Sequence, residues 1–189
     1  MSEVIGVIAI QGDFEKHVEA FRRLDPSLDV REVRTVDELE GVTRAVIPGG
    51  ESTTVGMLME RYGLGAALVE RVNGGMPIWG TCMGLIMLAT QVEGREQYTL
   101  GLLDVTVRRN AFGAQVHSFE DSVEVAGLDE PVLGVFIRAP IITHLGPGVS
   151  VVSEYEGRIV AARQGHVLGT SYHPELTADT RLHEWFLSF

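Results

Sequence analysis

The chain has 189 residues, a length that suits one globular domain spanning residues 1–189. Its 15 lysines and arginines against 26 aspartates and glutamates give a net charge of −11, which argues against binding to nucleic acid or anionic lipid. A single cysteine excludes an internal disulfide, and no apolar stretch reaches the ~18 residues of a membrane span, so we expect a soluble protein of the reducing cytoplasm.

Short apolar runs rich in valine and isoleucine alternate with helical patterns along the chain. Continuous runs of this kind are typical of strands that are buried on both faces of a sheet. The predicted strands cover residues 4–10, 44–48, 76–80, 102–107, 132–137 and 166–172. Residues 98–160 read more like strands and turns than helices, so we expect a mixed sheet there.

Amphipathic helices follow the first two predicted strands, and another closes the chain. Their apolar side chains recur at helical spacing: Phe14, Val18, Phe21 and Leu24 in the first, Val55, Leu58, Met59 and Tyr62 in the second, Leu182, Trp185, Phe186 and Phe189 in the last. Strands that alternate with helices predict an α/β fold with parallel strands.

Ligands of such sheets bind beyond the carboxyl ends of the strands, where the chain turns into a helix. Three of these turns are chemically unusual. They read "AIQGDFEKH" (9–17), "IPGGESTTVGML" (47–58) and "PIWGTCMGLIMLA" (77–89).

The third turn holds the only cysteine of the chain, Cys82. With "PIW" as a strand and "GLIMLA" as a helix, residues 80–83 form a sharp turn like a nucleophile elbow, which Gly80 permits. The start of a helix favours the thiolate, so this cysteine is a candidate nucleophile. A free cysteine is also often only a small buried hydrophobe. Position alone does not decide between the two.

A nucleophilic thiol needs a base, and the chain offers six histidines. These are His17, His117, His144, His166, His173 and His183. His173 follows a predicted strand, and Pro174 favours an extended backbone for it, which places Glu175 on the same side. A carboxylate that orients an imidazole facing a thiol is the arrangement of a catalytic triad. The alternative is that His-Pro-Glu is only a turn.

The remaining histidines show no metal-binding pattern. His17 and His183 fall on the predicted amphipathic helices, where we expect surface or packing residues. No pair of histidines combines metal-ligand spacing with a cluster of cysteines or carboxylates, so no metal site is predicted.

The turn "PGGES" can supply the oxyanion hole that acyl chemistry requires. Its glycines let the backbone come close to a reacting oxygen, so the natural donors are the N–H groups of Gly50 and of Met83, the residue after the candidate nucleophile. Phosphate binding is the alternative for a glycine-rich turn, but this one lacks the lysine of a P-loop, and Glu51 would repel phosphate.

Six segments together resemble a known family: "IAIQGDFEKH", "IPGGESTT", "GTCMGL", "VRRNAFGAQ", "FIRAP" and "SYHPEL". The chain resembles the glutaminase subunits of pyridoxal 5′-phosphate synthases, which are class I glutamine amidotransferases. The resemblance implies a flavodoxin-like three-layer α/β sandwich with a mixed, mostly parallel sheet. It also implies hydrolysis of L-glutamine to glutamate and ammonia without a cofactor, and delivery of the ammonia to a separate synthase subunit.

The resemblance assigns roles to individual residues. Cys82 is the nucleophile, His173 the general base and then acid, and Glu175 its orienter. The glutamine pocket maps onto Gly50, Glu51, Ser52, Arg109, Ile137 and Arg138. Without the resemblance, the two arginines are equally typical of solvated strand ends.

Some residues depart from the expected pattern, and alternatives remain. Ala114 and His117 stand where the family reads arginine and aspartate, and Met83 stands where alanine is usual. A flavodoxin-like cysteine peptidase is one alternative, although those enzymes place a histidine directly after the cysteine. The glutaminase subunit of another class I amidotransferase and an inactive scaffold subunit are the others.

Overall fold

The computed structural model describes residues 3–112 and 118–189 of the chain. The strands are β1 (Val4–Ile8), β2 (Asp29–Val33), β3 (Arg44–Ile47), β4 (Ile78–Thr81), β5 (Ala89–Val92), β6 (Leu103–Arg108), β7 (Ser118–Val123), β8 (Val132–Ile137), β9 (Ile141–Leu145), β10 (Ser150–Tyr155), β11 (Arg158–Gln164) and β12 (Val167–Thr170). The helices are α1 (Phe14–Leu24), α2 (Ser52–Arg61), α3 (Leu64–Asn73), α4 (Met83–Leu88) and α5 (Arg181–Leu187), and short 3₁₀ turns lie at Asp37–Leu39 and Pro174–Leu176.

The main sheet has the strand order β2-β1-β3-β4-β12-β11-β9-β6-β5, and β10 pairs with β11. The strands from β2 to β12 in this order pair in parallel, as do β5 and β6. The pairs that involve β11 or β9 are antiparallel. The predicted α/β fold with a mixed, mostly parallel sheet is therefore confirmed.

Hydrophobic cores lie on both faces of this sheet. Successive side chains of a strand point to opposite faces, and β1 sends Val4 and Ile8 into one core but Ile5 and Val7 into the other. The first core is covered by α2, α3 and α4, and the second by α1, α5 and the β7–β8 pair. The result is a three-layer sandwich.

Each of the six predicted strands overlaps an observed one, but one of them has a different environment. The run at residues 132–137 forms β8, which pairs antiparallel with β7 in a separate two-stranded sheet. The expectation of burial on both faces is met only in part by β8: Leu133 is 43% exposed, although Val135 on the same face of the strand is buried. Helix α3 was not among the predicted helices.

Candidate active site

The turn between β4 and α4 holds Cys82 in a strained backbone conformation. Its φ of 51° and ψ of −104° lie in a region that residues with a side chain rarely occupy. The Cys82 N–H donates a hydrogen bond to the Thr170 carbonyl on neighbouring β12, at 2.7 Å. The thiol is free and only partly buried, so Cys82 lies in a pocket wall and does not fill a core.

Two glycines flank the cysteine because α4 packs directly on the strands beneath it. A Cβ at Gly84 would overlap the backbone carbonyl of Ile47, and one at Gly80 would overlap the backbone of Gly84. This close approach places the first turn of α4, and with it the N–H of Met83, beside the carboxyl ends of β3 and β4.

His173 and Glu175 meet at the carboxyl end of β12. His173 Nδ1 lies 2.7 Å from Glu175 Oε1, and both residues are buried. The His173 N–H donates to the Val135 carbonyl at 2.8 Å, which fixes the backbone. The expected proximity is observed, but its reason differs from the expectation: Glu175 lies in the 3₁₀ turn that begins at Pro174, not in an extended segment.

The electrostatics of this pair depend on the cysteine. Burial lowers the pKa of His173, but hydrogen bonds with Cys82 and Glu175 outweigh burial and raise it from 6.5 to about 10. The ring is therefore an imidazolium at neutral pH. Burial raises the pKa of the Glu175 carboxyl, but interactions with His17 and His173 lower it overall, so Glu175 is a carboxylate.

Cys82 and His173 open into a pocket of about 480 Å³. This volume lies within the ~300–1,000 Å³ that is typical of small-molecule sites. The lining residues are Gln11, Gly12, Asp13, Gly50, Glu51, Ser52, Cys82, Met83, Ile86, Arg109, Asn110, Ile137, Arg138 and His173. Every residue that the sequence analysis placed in the substrate pocket or the oxyanion hole is among them. Glu175 lies behind His173, outside the pocket wall.

Glu51 has a structural role that the sequence analysis did not foresee. Its carboxylate caps α2 by accepting hydrogen bonds from the N–H groups of Thr53 and Thr54, at 3.1 and 2.8 Å. Burial raises its pKa, but these bonds outweigh burial and lower the pKa to about 2. Arg109 Nη2 lies 3.3 Å from Glu51 Oε1, so this pocket wall carries both signs of charge.

Ile137 and Arg138 also line the pocket, where the chain leaves β8. Cys82 Sγ lies 3.8 Å from the Ile137 carbonyl oxygen. Arg138 has a φ of 46°, a left-handed conformation that reverses the chain immediately beside the thiol. Its side chain is exposed at the rim of the pocket.

Sequence reasoning missed Gln97 at the site, whereas Gln11 belongs to the turn at residues 9–17 that it singled out. Gln97 Oε1 accepts from Arg109 Nη1 at 3.3 Å and from Ser52 Oγ at 3.4 Å, and so links two predicted substrate residues. Gln11 Oε1 accepts from the N–H of Glu51 at 3.4 Å. Gln97 lies in an irregular segment between β5 and β6, where no periodicity could have indicated it.

We expected His17 and His183 to be either surface or packing residues, and both are packing residues. Both rings are completely buried behind Glu175, where α1 and α5 pack on the same face of the sheet. A sequence signal did exist, because His17 precedes Phe21 by one helical turn and His183 precedes Phe186 in the same way. Each histidine thus shares the apolar stripe of its helix.

One group of possible metal ligands occurs in the part of the chain that the structure describes. Ligand atoms of Asp13, His173 and Glu175 lie within 4.8 Å of one another. His173 and Glu175 are hydrogen-bonded to each other, which is the arrangement of a triad. Ala114 and His117, the two departures from the family pattern, lie outside the described residues. Over residues 3–112 and 118–189, no helix is long and apolar enough to cross a membrane.

The fold and the site define a class of protein, namely three-layer α/β proteins with a cysteine elbow that faces a histidine–glutamate pair. The model of the SNO glutamine amidotransferase family matches residues 7–189. The chain belongs to this family, and the resemblance drawn from the sequence is confirmed.

Relatives with a curated name support the same placement. The pyridoxal 5′-phosphate synthase subunit PdxT of Thermus thermophilus is 51% identical over 189 residues, covering 99% of this chain and 97% of that protein. The subunit of the same name from Niallia circulans is 49% identical over 184 residues, covering 97% and 95%. A crystal structure of a glutamine amidotransferase superposes with a TM-score of 0.93 at 49% identity, covering 98% and 97% of the two chains.

Proposed function

We propose that residues 1–189 form one glutaminase domain, which hydrolyses L-glutamine to L-glutamate and ammonia for pyridoxal 5′-phosphate synthesis. The observation that carries this proposal is the position of Cys82: its thiol shares a pocket with a histidine whose other nitrogen is bonded to a buried glutamate. The curated names of the relatives support the biosynthetic context. Since Cys82 must stay a free thiol, we also propose a reducing, cytoplasmic location.

The first half of the reaction forms a covalent intermediate. His173 enters the reaction as an imidazolium that already holds the thiol proton, and the Cys82 thiolate attacks the side-chain amide carbon of glutamine. As the tetrahedral intermediate collapses, the C–N bond breaks, and the His173 imidazolium gives its proton to the leaving nitrogen, which departs as ammonia. A glutamyl thioester on Cys82 remains.

The second half restores the enzyme. Neutral His173 takes a proton from water, and the resulting hydroxide attacks the thioester carbon. The C–S bond breaks, the new side-chain carboxylic acid releases its proton to water and leaves as glutamate, and the thiolate–imidazolium pair is formed again. Throughout, the Glu175 carboxylate holds Nδ1–H of His173 and so keeps Nε2 as the nitrogen that exchanges protons.

Backbone N–H groups are suited to stabilise the oxyanion of both tetrahedral intermediates. Gly50 and Met83 lie beside Cys82 in the pocket wall, at the starts of α2 and α4. Hydrogen-bond donors aimed at a developing oxyanion typically contribute about 10²- to 10³-fold each to kcat.

Charged groups further along the pocket fit the amino-acid end of glutamine. A guanidinium can bind the α-carboxylate through two parallel hydrogen bonds, and Arg138 at the rim presents one. The Glu51 carboxylate, paired with Arg109, offers an acceptor for the α-ammonium group. Ser52 and the Ile137 carbonyl complete the polar lining.

We propose that the ammonia passes to a synthase subunit which docks near residues Gln11–His17. Free ammonia is mostly protonated in neutral water, and ammonium is not a nucleophile, so productive transfer needs a sheltered path. Gly12 supports the location: with a φ of +94°, it packs so closely that a Cβ would overlap the Gly49 carbonyl oxygen. Docking on this turn would therefore act directly on the backbone beside Gly50, the proposed oxyanion donor.

The test is a glutaminase assay of the isolated chain and of its mixture with excess pyridoxal 5′-phosphate synthase subunit. We expect co-elution of the two subunits and release of glutamate that rises on mixing. A glutamine-like electrophile should label Cys82 and abolish the activity. An assembled complex that forms no glutamate from glutamine would refute the proposal, and full activity without co-elution would refute the docking.

A further inference from the structure

A sealed polar network lies behind Glu175, on the side away from the pocket. His17 Nε2 is 3.0 Å from Thr81 Oγ1 and 3.4 Å from Glu175 Oε2. His17 Nδ1 is 3.1 Å from His183 Nε2. None of these side chains reaches the pocket or solvent. Apart from Glu175, the reaction proposed above uses none of them, namely His17, Thr81 and His183.

The two buried rings are uncharged at neutral pH. Burial lowers the pKa of His17 more than the attraction of Glu175 and Asp13 raises it, and His173 lowers it further. Burial, together with repulsion from His17 and Arg23, holds the pKa of His183 well below 6.5. Each neutral ring carries one N–H donor and one acceptor nitrogen, so the hydrogen bonds have a direction.

Only one direction of the hydrogen bond between His183 and His17 avoids a buried N–H group without an acceptor in the described part of the chain. If His183 donates Nε2–H to His17 Nδ1, then His17 carries its own proton on Nε2 and points it at Thr81 Oγ1 and the Glu175 carboxylate. The reverse direction buries an N–H at His183 Nδ1, which has no hydrogen-bond partner among the described residues. It also turns the lone pair of His17 Nε2 toward a negative charge. Both are unfavourable in a buried site.

The Glu175 carboxylate has one oxygen, Oε2, that is free among the described residues and faces the Nε2–H group of His17. Its Oε1 is bonded to His173, whereas its buried Oε2 has no hydrogen-bond partner within residues 3–112 and 118–189. Trp79 packs edge-on against both rear rings, with centroids 5.5 Å from His17 and 5.0 Å from His183, and limits how they can turn.

We propose that His17, held by His183, is a positioning residue that acts on His173 through Glu175. The Nε2–H group of His17 stabilises the rear oxygen of the Glu175 carboxylate and fixes the plane in which the front oxygen meets His173. This inference rests on the proposed function of the triad. Because His17 never touches glutamine, its loss lowers kcat and leaves KM unchanged.

Two amide variants of His17 separate this role from mere packing. Glutamine and asparagine carry the same group, but only the longer side chain brings its NH₂ to the place of Nε2. In the assembled complex, we expect His17→Asn to lower kcat about 10-fold, because the buried rear oxygen of Glu175 loses the polar N–H group beside it. His17→Gln should stay within about threefold of the parent, and both should keep the parent KM. His144→Gln, at an exposed position on β9 outside the pocket, is the matched control and should match the parent.

Equal activity in the parent and both variants, or an equal loss in both, would overturn the proposal. If the variants do not fold, ¹⁵N NMR of the parent decides: the proposal requires Nε2–H tautomers for both His17 and His183 at neutral pH, and an Nδ1–H tautomer or an imidazolium at His17 overturns it. Cys82→Ala separates this result from the proposed function. Its retained activity would refute the triad itself, whereas an inactive Cys82→Ala beside a fully active His17→Asn would refute only the role of His17.

Discussion

Glu175 separates two groups of histidines whose protonation is opposite. In front of it, His173 faces the pocket, and its pKa is raised to about 10. Behind it, burial lowers the pKa of both His17 and His183. Burial alone does not explain the contrast, since His173 is only 4% exposed and the rear rings 0%. The difference comes from the sulfur of Cys82 and from the short bond that His173 makes with Glu175.

The contrast shows how one carboxylate can serve two purposes. Toward the front, it holds an imidazolium whose proton is used in the reaction that we propose. Toward the rear, it meets a neutral N–H donor, which compensates part of the cost of burying a charge without adding a group that titrates near neutral pH. Substitutions on the two sides of Glu175 should therefore have separate effects, and the largest is expected at the front.

Replacement of Cys82 should have the largest effect, because it removes the nucleophile and the partner that makes the front histidine basic. We expect Cys82→Ala to abolish glutamate formation, a loss of at least about 10³-fold. The pKa of His173 should fall in this variant while that of His17 stays low, which a ¹H NMR titration measures. Circular dichroism should show an intact fold. Glutamate production by a well-folded variant would contradict the assignment.

The next largest effects should come from the histidine and its orienter. His173→Asn removes the group that transfers protons and should lower kcat about 10³-fold. Glu175→Gln should cost less, because it only weakens the orientation and charge stabilisation of an imidazole that remains. Steady-state release of glutamate by the assembled complex measures both. If Glu175→Gln releases glutamate as fast as the parent, Glu175 is not part of the triad. The contrast between the histidines in front of it and behind it would then have no bearing on activity.

The arginines of the pocket should affect binding more than chemistry. Arg138→Met and Arg109→Met remove cations that would hold the non-reacting end of glutamine equally in the ground and transition states. We therefore expect KM to rise about 10-fold and kcat to change less than about threefold. This result would be the reverse of that for His17, whose loss should act on kcat. A fall in kcat at unchanged KM in either arginine variant would contradict the binding role.

The smallest effect should appear in the pH dependence of stability, where the two sides of Glu175 have opposite signs. The folded-state pKa of His183 lies below 6.5, so the unfolded chain binds more protons below that pH and stability falls as the pH drops from 6.5. The folded-state pKa of His173 is about 10, so its contribution is complete below pH 6.5 and is lost as the pH rises toward 10.

Urea unfolding between pH 5 and 10 measures these two slopes. His183→Leu should flatten the acid slope between about pH 5 and 6.5, and His173→Asn the alkaline one. The acid window stays above the range in which Glu175 titrates, since the pKa of this carboxyl lies below 4.5. If the free energy of unfolding of the parent and of His183→Leu changes equally between pH 5 and 6.5, the conclusion that His183 is uncharged in the folded protein is contradicted.

Much of the fold could be predicted from local patterns. The buried runs that became β1, β3, β4, β6 and β12 have the valine- and isoleucine-rich character of central strands, and the apolar stripes predicted α1, α2 and α5. The environment of β8 could not be predicted this way. An apolar run contains no information about which strand will pair with it, and among the described residues β8 pairs with β7 alone.

The sequence by itself determined the front of the site. Cys82 between close-packed glycines, the Gly50 turn and the adjacent His173 and Glu175 are local signals, since each lies in a short segment where a strand ends. Together these segments identified the family before any tertiary contact was known.

Only the tertiary structure decided the rear. His17 and His183 are 166 residues apart in the chain, and they meet because α1 and α5 pack side by side on one face of the sheet. Read alone, each is one polar residue on an amphipathic helix, with no local sign of its partner. The hydrogen-bond partners of a buried histidine, and the free-energy cost of burying it, depend on which helices become neighbours. The order of strands β1, β3, β4 and β12 in the sheet determines which helices these are, and residues adjacent in sequence do not.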